Sequence, residues 1–243
     1  MAPVDLTPHA RSFGAAAGAY ARARPGYPAD AVAFLAGSAR RVLDLGAGTG
    51  KATAALLAAG HEVVAVEPST RMLAQLRTAL PGVEAHEGSA EATGLPDASV
   101  DAVVVAQAWH WVDPARAVPE VARVLRPGGT LGLVWNLRDD TVDWVRRVWS
   151  IAQRGTEQEM GADDTRLGAP FGPPERFTTR HEHVLDRAGV LDLVASRSYV
   201  IVRPEAERVE LLARVGEVLD GVFGPGDPVA VPYLTHCTRF TRG

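Results

Sequence analysis

The stretch 41–50, RVLDLGAGTG, sets the tightest limit on what this chain folds into. An apolar run carrying an acid, Asp44, meets three glycines spaced two apart: Gly46, Gly48 and Gly50. A short apolar run followed by glycines reads as a buried strand that ends in a tight turn, where a ligand can lie against bare main chain. Residues 50–59 are rich in alanine and leucine, good helix material, and Gly60 stops them.

The same alternation continues. EVVAVE at 62–67 reads as a second strand, and Ser69 caps a helix that runs to about Leu80, before Pro81–Gly82. VEAHEG at 83–88 is a third strand and DAVVVAQ at 101–107 a fourth, whose nearly continuous apolar character points to burial on both faces. A helix over 114–125 with Pro114 near its start is closed by Pro127–Gly128–Gly129, and TLGLVWN at 130–136 is a fifth strand. Residues 10–37 read as helical and broken at Pro25–Gly26. Residues 155–180 read as a long loop, 181–187 as a strand, 190–195 as a short helix, and 204–220 as a long amphipathic helix. VAVPYLTHCTRF at 229–240 reads as an antiparallel strand that completes the sheet.

Strand and helix in alternation mean an α/β fold with a mostly parallel sheet and helices on both faces. The ligand crevice of such a fold opens beyond the carboxyl ends of the strands. A P-loop does not fit, because Leu45 stands where its first glycine belongs and Ala52, not serine or threonine, follows Lys51. A dinucleotide fingerprint does not fit either: GxGxxG needs its third glycine one place later than Gly50.

GxGxG with an acid two residues before the first glycine resembles the S-adenosylmethionine site of class I methyltransferases. AQAWHWVDP at 106–114, FGAAAGAYARARPGYP at 13–28 and SRSYV at 196–200 are similar to the trans-aconitate methyltransferase-like, small-molecule members of that group. The resemblance implies one Rossmann-like domain over 1–243 with a seven-stranded sheet: an N-terminal helical lid at 1–36, a cofactor core at 40–136, and a substrate-side, sheet-completing region at 137–243. It implies S-adenosyl-L-methionine as cofactor and S-adenosyl-L-homocysteine as product. The main chain of Gly46, Ala47, Gly48 and Gly50, with Asp44, then faces the methionine part. Glu67 accepts the ribose hydroxyls, and Pro68 and Met72 lie by the adenine. Ser89, Ala90 and Glu91 form the adenine-side loop, and Ala106 ends the fourth strand. Tyr20 and Arg24 either reach the cofactor carboxylate or lie on a solvated helix face.

His110 sits just past the fourth strand, between Trp109 and Trp111. It titrates near neutrality, so it is the candidate catalytic base, with loop-holding as the other reading. The two tryptophans either wall an acceptor pocket or belong to the core. Arg197 either binds an anionic acceptor or is a surface arginine. His181 and His183 lack a third ligand at metal spacing, so no metal is expected.

Composition closes off other classes. A formal net charge of −4 gives no basic field for nucleic acid. No run of 18 apolar residues occurs, so no membrane span is expected. The one cysteine, Cys237, allows no intrachain disulfide, which fits a cytoplasmic protein. A small-molecule partner and a monomer or homodimer are the expectations. Two other functions stay open: a non-catalytic S-adenosylmethionine binder, and an NAD-dependent oxidoreductase, against which the glycine spacing argues.

Overall fold

The computed structural model describes residues 24–152 and 166–243. In chain order the elements are α1 (Ala29–Ala36), β1 (Arg41–Leu45), α2 (Lys51–Ala58), β2 (Glu62–Glu67), α3 (Thr70–Ala79), β3 (Glu84–Glu87) and β4 (Val100–Ala106). A 3-10 turn over Trp109–Trp111 leads to α4 (Pro114–Val124), β5 (Leu125–Arg138) and α5 (Asp143–Ala152). Then come β6 (Glu175–Leu185), α6 (Arg187–Ala195), α7 (Ser198–Ile201), α8 (Glu205–Asp220) and β7 (Val229–Thr241).

One seven-stranded sheet has the order β3-β2-β1-β4-β5-β7-β6. The pairs β3–β2, β2–β1, β1–β4 and β4–β5 are parallel, and β5–β7 and β7–β6 are antiparallel. Order reverses between β1 and β4, which puts the topological switch point beside the glycine turn. The central strands are apolar almost throughout because both faces are covered: Val42, Leu43, Val64, Val66, Val103 and Val105 are all buried.

The chain divides into two compact units. One comprises residues 26–136, 166–179 and 235–243 and carries the parallel strands. In its core Val32 and Leu35 of α1 pack with Val42, Leu56, Val63, Val104 and Val134. Gly132 makes room for α1, since a Cβ there would lie 2.8 Å from Leu35 Cδ2. The other unit comprises residues 24–25, 137–152 and 180–234. Its core joins helices to a strand: Val145, Val148 and Trp149 of α5 share one face, as their spacing requires, and pack with Leu193 of α6, Leu211 and Val215 of α8 and Tyr233 of β7.

Two boundaries differ from the sequence reading. The loop expected to reach residue 180 gives way to strand at Glu175, because Phe177 finds Phe34 at 5.3 Å between ring centroids, a contact no local pattern reveals. The fifth strand starts at Leu125, before the Pro127–Gly128–Gly129 punctuation, with an irregular register between Val100 and Ala102 of β4. Of the expected helical stretch 10–37, only α1 lies within the described residues, and the lid over 1–36 falls largely outside them.

Candidate active site

Asp44 is the next-to-last residue of β1, and its carboxylate is wholly buried. Thr53, in the first turn of α2, donates its hydroxyl to Asp44 Oδ2 at 2.5 Å. Oδ1 has no hydrogen-bond partner. Burial, with Glu67 repelling from the next strand, pushes the Asp44 carboxyl up to about 6 against the pull of Thr53.

The three glycines of the turn all have positive φ, but for different reasons. A Cβ on Gly46 would meet Ala108 Cβ at 2.9 Å, so this glycine lets the turn touch the segment that follows β4. A Cβ on Gly50 would meet Leu80 and Leu76 at 3.0 and 3.1 Å, so this one lets α2 pack near α3. Gly48 alone, at φ +57, faces open space within 4 Å. It is therefore the glycine against which a ligand can lie.

The N–H groups of the turn are largely committed within the protein. Gly46 and Ala47 donate to Val66 O at 2.8 and 3.1 Å, and Gly50 donates to Ala47 O at 2.9 Å. Gly48 donates to Glu67 Oε2 at 2.8 Å. These bonds leave Thr49 N–H outside, so the turn offers a ligand shape more than a nest of donors. Glu67 also accepts from Ser69 N–H, through Oε1, at 2.9 Å. Burial raises its carboxyl, and those two N–H groups hold it down in part. Each oxygen keeps a lone pair for a vicinal diol. Pro68 is exposed and Met72, in the first turn of α3, half-buried.

The adenine-side loop is built by groups that spacing alone does not reveal. Ser89 and Ala92 exchange backbone bonds at 3.1 and 3.2 Å, which leaves Ala90 N–H outside the pair. Glu91 N–H donates to Ser89 Oγ at 3.3 Å. The Glu91 carboxylate accepts from Asp113 N–H at 2.9 Å and so ties this loop to the start of α4. Burial would raise the Glu91 carboxyl, but the Asp113 and Ser89 hydrogen bonds outweigh it and hold it low. Glu120 of α4 accepts from both the N–H and the hydroxyl of Thr93, at 2.8 and 2.6 Å. Neither Thr53 nor Glu120 stands out in the sequence; a polar residue on the buried face of an expected helix is the one available signal.

Ala106 closes β4, and Gln107 follows with φ +57, a conformation uncommon outside glycine. Two bonds hold it there: its N–H to Val134 O at 2.9 Å and its carboxamide to Asn136 O at 3.1 Å. The Asn136 side chain in turn donates to Gly26 O at 2.8 Å and accepts from Thr235 at 2.7 Å. The turn that follows points its aromatic rings in different directions. Trp109 is 6% exposed and Trp111 37% exposed, with His110 against Trp111 at 4.5 Å between centroids. Burial lowers the His110 pKa, which favours the neutral ring.

Tyr20 lies outside the described residues. Arg24 and Arg197 belong to the other unit. Arg24 is half-buried. Arg197, expected at the surface if not at a site, is instead 9% exposed, with its N–H bonded to Val194 O at 3.2 Å where α6 ends. Among the described residues no cluster of three or more His, Cys, Asp or Glu is placed to hold a metal ion. No described helix is long and apolar enough to cross a membrane.

The residues at the switch point fit a nucleoside carrying an amino acid: an uncovered glycine, a carboxylate at the tip of the second strand, and a buried anion beneath the turn. Comparison with known proteins agrees. Residues 43–133 match the methyltransferase domain family. An uncharacterized methyltransferase of Mycobacterium tuberculosis is 51% identical over 95% of both chains. The trans-aconitate 2-methyltransferase of an Azoarcus species is 31% identical over 77% of this chain and 80% of its own. A solved structure from Anaeromyxobacter dehalogenans, described as a candidate type II methyltransferase, is 30% identical, with a TM-score of 0.66 over 89% of this chain and 97% of its own.

Proposed function

The chain belongs to the class I S-adenosylmethionine-dependent methyltransferases, and on that premise we propose that it methylates a small molecule held beside the Trp109–Trp111 turn. One observation carries the reading. Gly46 lies against Ala108, so the glycine turn and the turn bearing His110 are direct neighbours within a single compact unit.

When bound, the cofactor supplies a methyl group already activated by a cationic sulfur. The protein then has to bind, align and keep out water. Glu67 accepts the ribose hydroxyls on its remaining lone pairs, and Gly48 admits the methionine part without a side chain in the way. Ala90 N–H and the half-buried Met72 serve the adenine, with Ser89 and Glu91 fixing that loop and Pro68 turning the chain away. Trp111 offers an exposed ring for an acceptor, while the buried Trp109 anchors the turn. His110, kept neutral by burial, takes the proton from a hydroxyl or amine acceptor. A carboxylate acceptor needs no base. The name of the Azoarcus relative places carboxylate acceptors first among those to try. A chain with one cysteine and no described membrane-crossing helix fits work in the cytoplasm.

The experiment is incubation with methyl-labelled S-adenosylmethionine and a panel of small carboxylates, phenols and amines. Labelled product together with S-adenosylhomocysteine is the expected result. His110→Ala should leave cofactor affinity intact and depress transfer to a hydroxyl or amine by about 100-fold or more. Tight cofactor binding without product from any acceptor or cell extract would make the protein a non-catalytic binder instead.

A further inference from the structure

We propose that Gln107 is a positioning residue for the turn that bears His110 and Trp111: its carboxamide makes the hydrogen bond that the main chain of β4 would make one step further along β5, and so fixes where the chain leaves the sheet. The inference deepens the methyl-transfer reading and rests on it.

The strand register shows the replacement. Ala106 of β4 stands beside Val134 of β5, and Gln107 donates its N–H to Val134 O at 2.9 Å. In a parallel ladder the donors that face one neighbour recur every second residue, so the next in line is Trp109 N–H, aimed at Asn136 O. The main chain does not deliver it, because Trp109 already belongs to the 3-10 turn over Trp109–Trp111. Gln107 Nε2 reaches Asn136 O instead, at 3.1 Å. The carbonyl at the end of β5 is satisfied, and the main chain is released from the sheet at a defined point.

Backbone conformation points the same way. Gln107 has φ +57, and the other non-glycine residue with positive φ among those described is Ala98, at φ +47. A disfavoured backbone persists where its surroundings hold it. Asn136 supplies that hold: it is buried, and its side chain is fixed at both ends, donating to Gly26 O at 2.8 Å and accepting from Thr235 at 2.7 Å. Glycine would adopt φ +57 with less strain but lacks the carboxamide. The residue is therefore a glutamine for its side-chain bond and in spite of its backbone. Gln107 holds the near end of the turn, and Glu91, which accepts Asp113 N–H, holds the far end. The bonds between them, Trp111 N–H to Ala108 O and Val112 N–H to Trp109 O, are internal to the turn. The glycine turn after β1 has its own anchor, since Gly46 and Ala47 both donate to Val66 O. Loss of the Gln107 bond should therefore loosen the His110 turn and leave the cofactor turn in place.

The test compares Gln107→Gly and Gln107→Glu with Ala98→Gly, which relieves the same kind of backbone strain just before the opposite end of β4. Gln107→Gly should keep its melting temperature within about 4 °C of wild type, because relief of strain offsets the lost bond. Its calorimetric affinity for S-adenosylhomocysteine should stay within about threefold. Hydrogen exchange read by mass spectrometry should nevertheless speed up about tenfold over residues 107–113, with no change over 44–50. Methyl transfer to an acceptor found in the panel should fall about tenfold or more, as misplacement of groups around a reacting centre requires. Gln107→Glu, which keeps the length and loses the donor, should reproduce both effects, and Ala98→Gly neither. Wild-type exchange over 107–113 in Gln107→Gly would overturn the proposal. So would a loss of transfer in Ala98→Gly as large as that in Gln107→Gly. Wild type that methylates no acceptor would instead remove the methyl-transfer reading, and hydrogen exchange alone would then decide whether Gln107 holds the turn.

Discussion

Glu67 holds Gly48: the carboxylate at the tip of β2 accepts the Gly48 N–H at 2.8 Å and so fixes the turn that follows the neighbouring strand. Because its other oxygen accepts Ser69 N–H at 2.9 Å, one side chain shapes both the turn and the cap of α3. Glu67→Ala should therefore do two things. It should orphan two backbone donors, at a cost of about 1–3 kcal/mol each, visible as a lower melting temperature without cofactor. It should also weaken S-adenosylmethionine by about 100-fold in calorimetry, since the ribose loses a charged acceptor. Wild-type affinity in a destabilised variant would leave Glu67 a purely structural residue.

The glycines make a sharper comparison. Gly48→Ala adds a methyl in open space, so its stability cost is that of the backbone at φ +57, about 1–2 kcal/mol. Gly46→Ala adds the same backbone cost and a clash with Ala108 at 2.9 Å. The expected pattern is a large loss of cofactor affinity with a small fall in melting temperature for Gly48→Ala, and a distinctly larger fall for Gly46→Ala. Equal melting temperatures would contradict the assignment of Gly48 as the ligand-facing position.

The parallel half of the fold was legible because β1, β2 and β4 are apolar runs closed by turn signals, while β3, EAHE, followed only from the alternation of strand and helix; GxGxG with Asp44 and Glu67 pointed to the carboxyl ends of β1 and β2. Less legible was whatever depends on partners distant in sequence. The first residues of β6 look like loop until Phe177 meets Phe34, and the polar run around Arg197 looks like surface until its unit folds around it. At the site, spacing pointed to Gly48 and Glu67 but not to their bond, which removes a donor that the turn would otherwise offer. Thr53, Glu120 and Asn136 were invisible for the same reason: each acts through a bond to a residue that only the fold brings near.

Glu120 supports the adenine-side loop electrostatically. Arg123 beside it outweighs the opposing effect of burial and, with Thr93, holds its carboxyl down at about 2, against an ordinary 4.5. For an acid held low, the stabilisation is complete above the unfolded value and lost as pH falls through the folded one. Glu120→Gln should thus cost about 1–3 kcal/mol at pH 7, with allowance for the solvent around Arg123, and nothing near pH 2. Urea unfolding of both proteins at several pH values measures the difference. A gap that persists undiminished at pH 2 would exclude this ionic role.

Asp44 has the opposite sign. Its carboxyl is pushed up from 3.8 to about 6, chiefly by burial, so the folded chain holds that proton more tightly than the unfolded one. Stability from this group therefore falls as pH rises between about 4 and 6, and the whole cost stands above 6. Asp44→Asn removes the charge and keeps an oxygen to accept from Thr53. Relative to wild type it should gain about 1–3 kcal/mol at pH 8 and nothing at pH 4, while binding S-adenosylmethionine more weakly. Such a pairing would be stability given up for function. Urea unfolding at the two pH values, with calorimetry beside it, decides the matter. If Asp44→Asn is less stable than wild type at pH 8, the carboxylate is held for the fold; if it binds S-adenosylmethionine as wild type does, the charge has no part in the cofactor site.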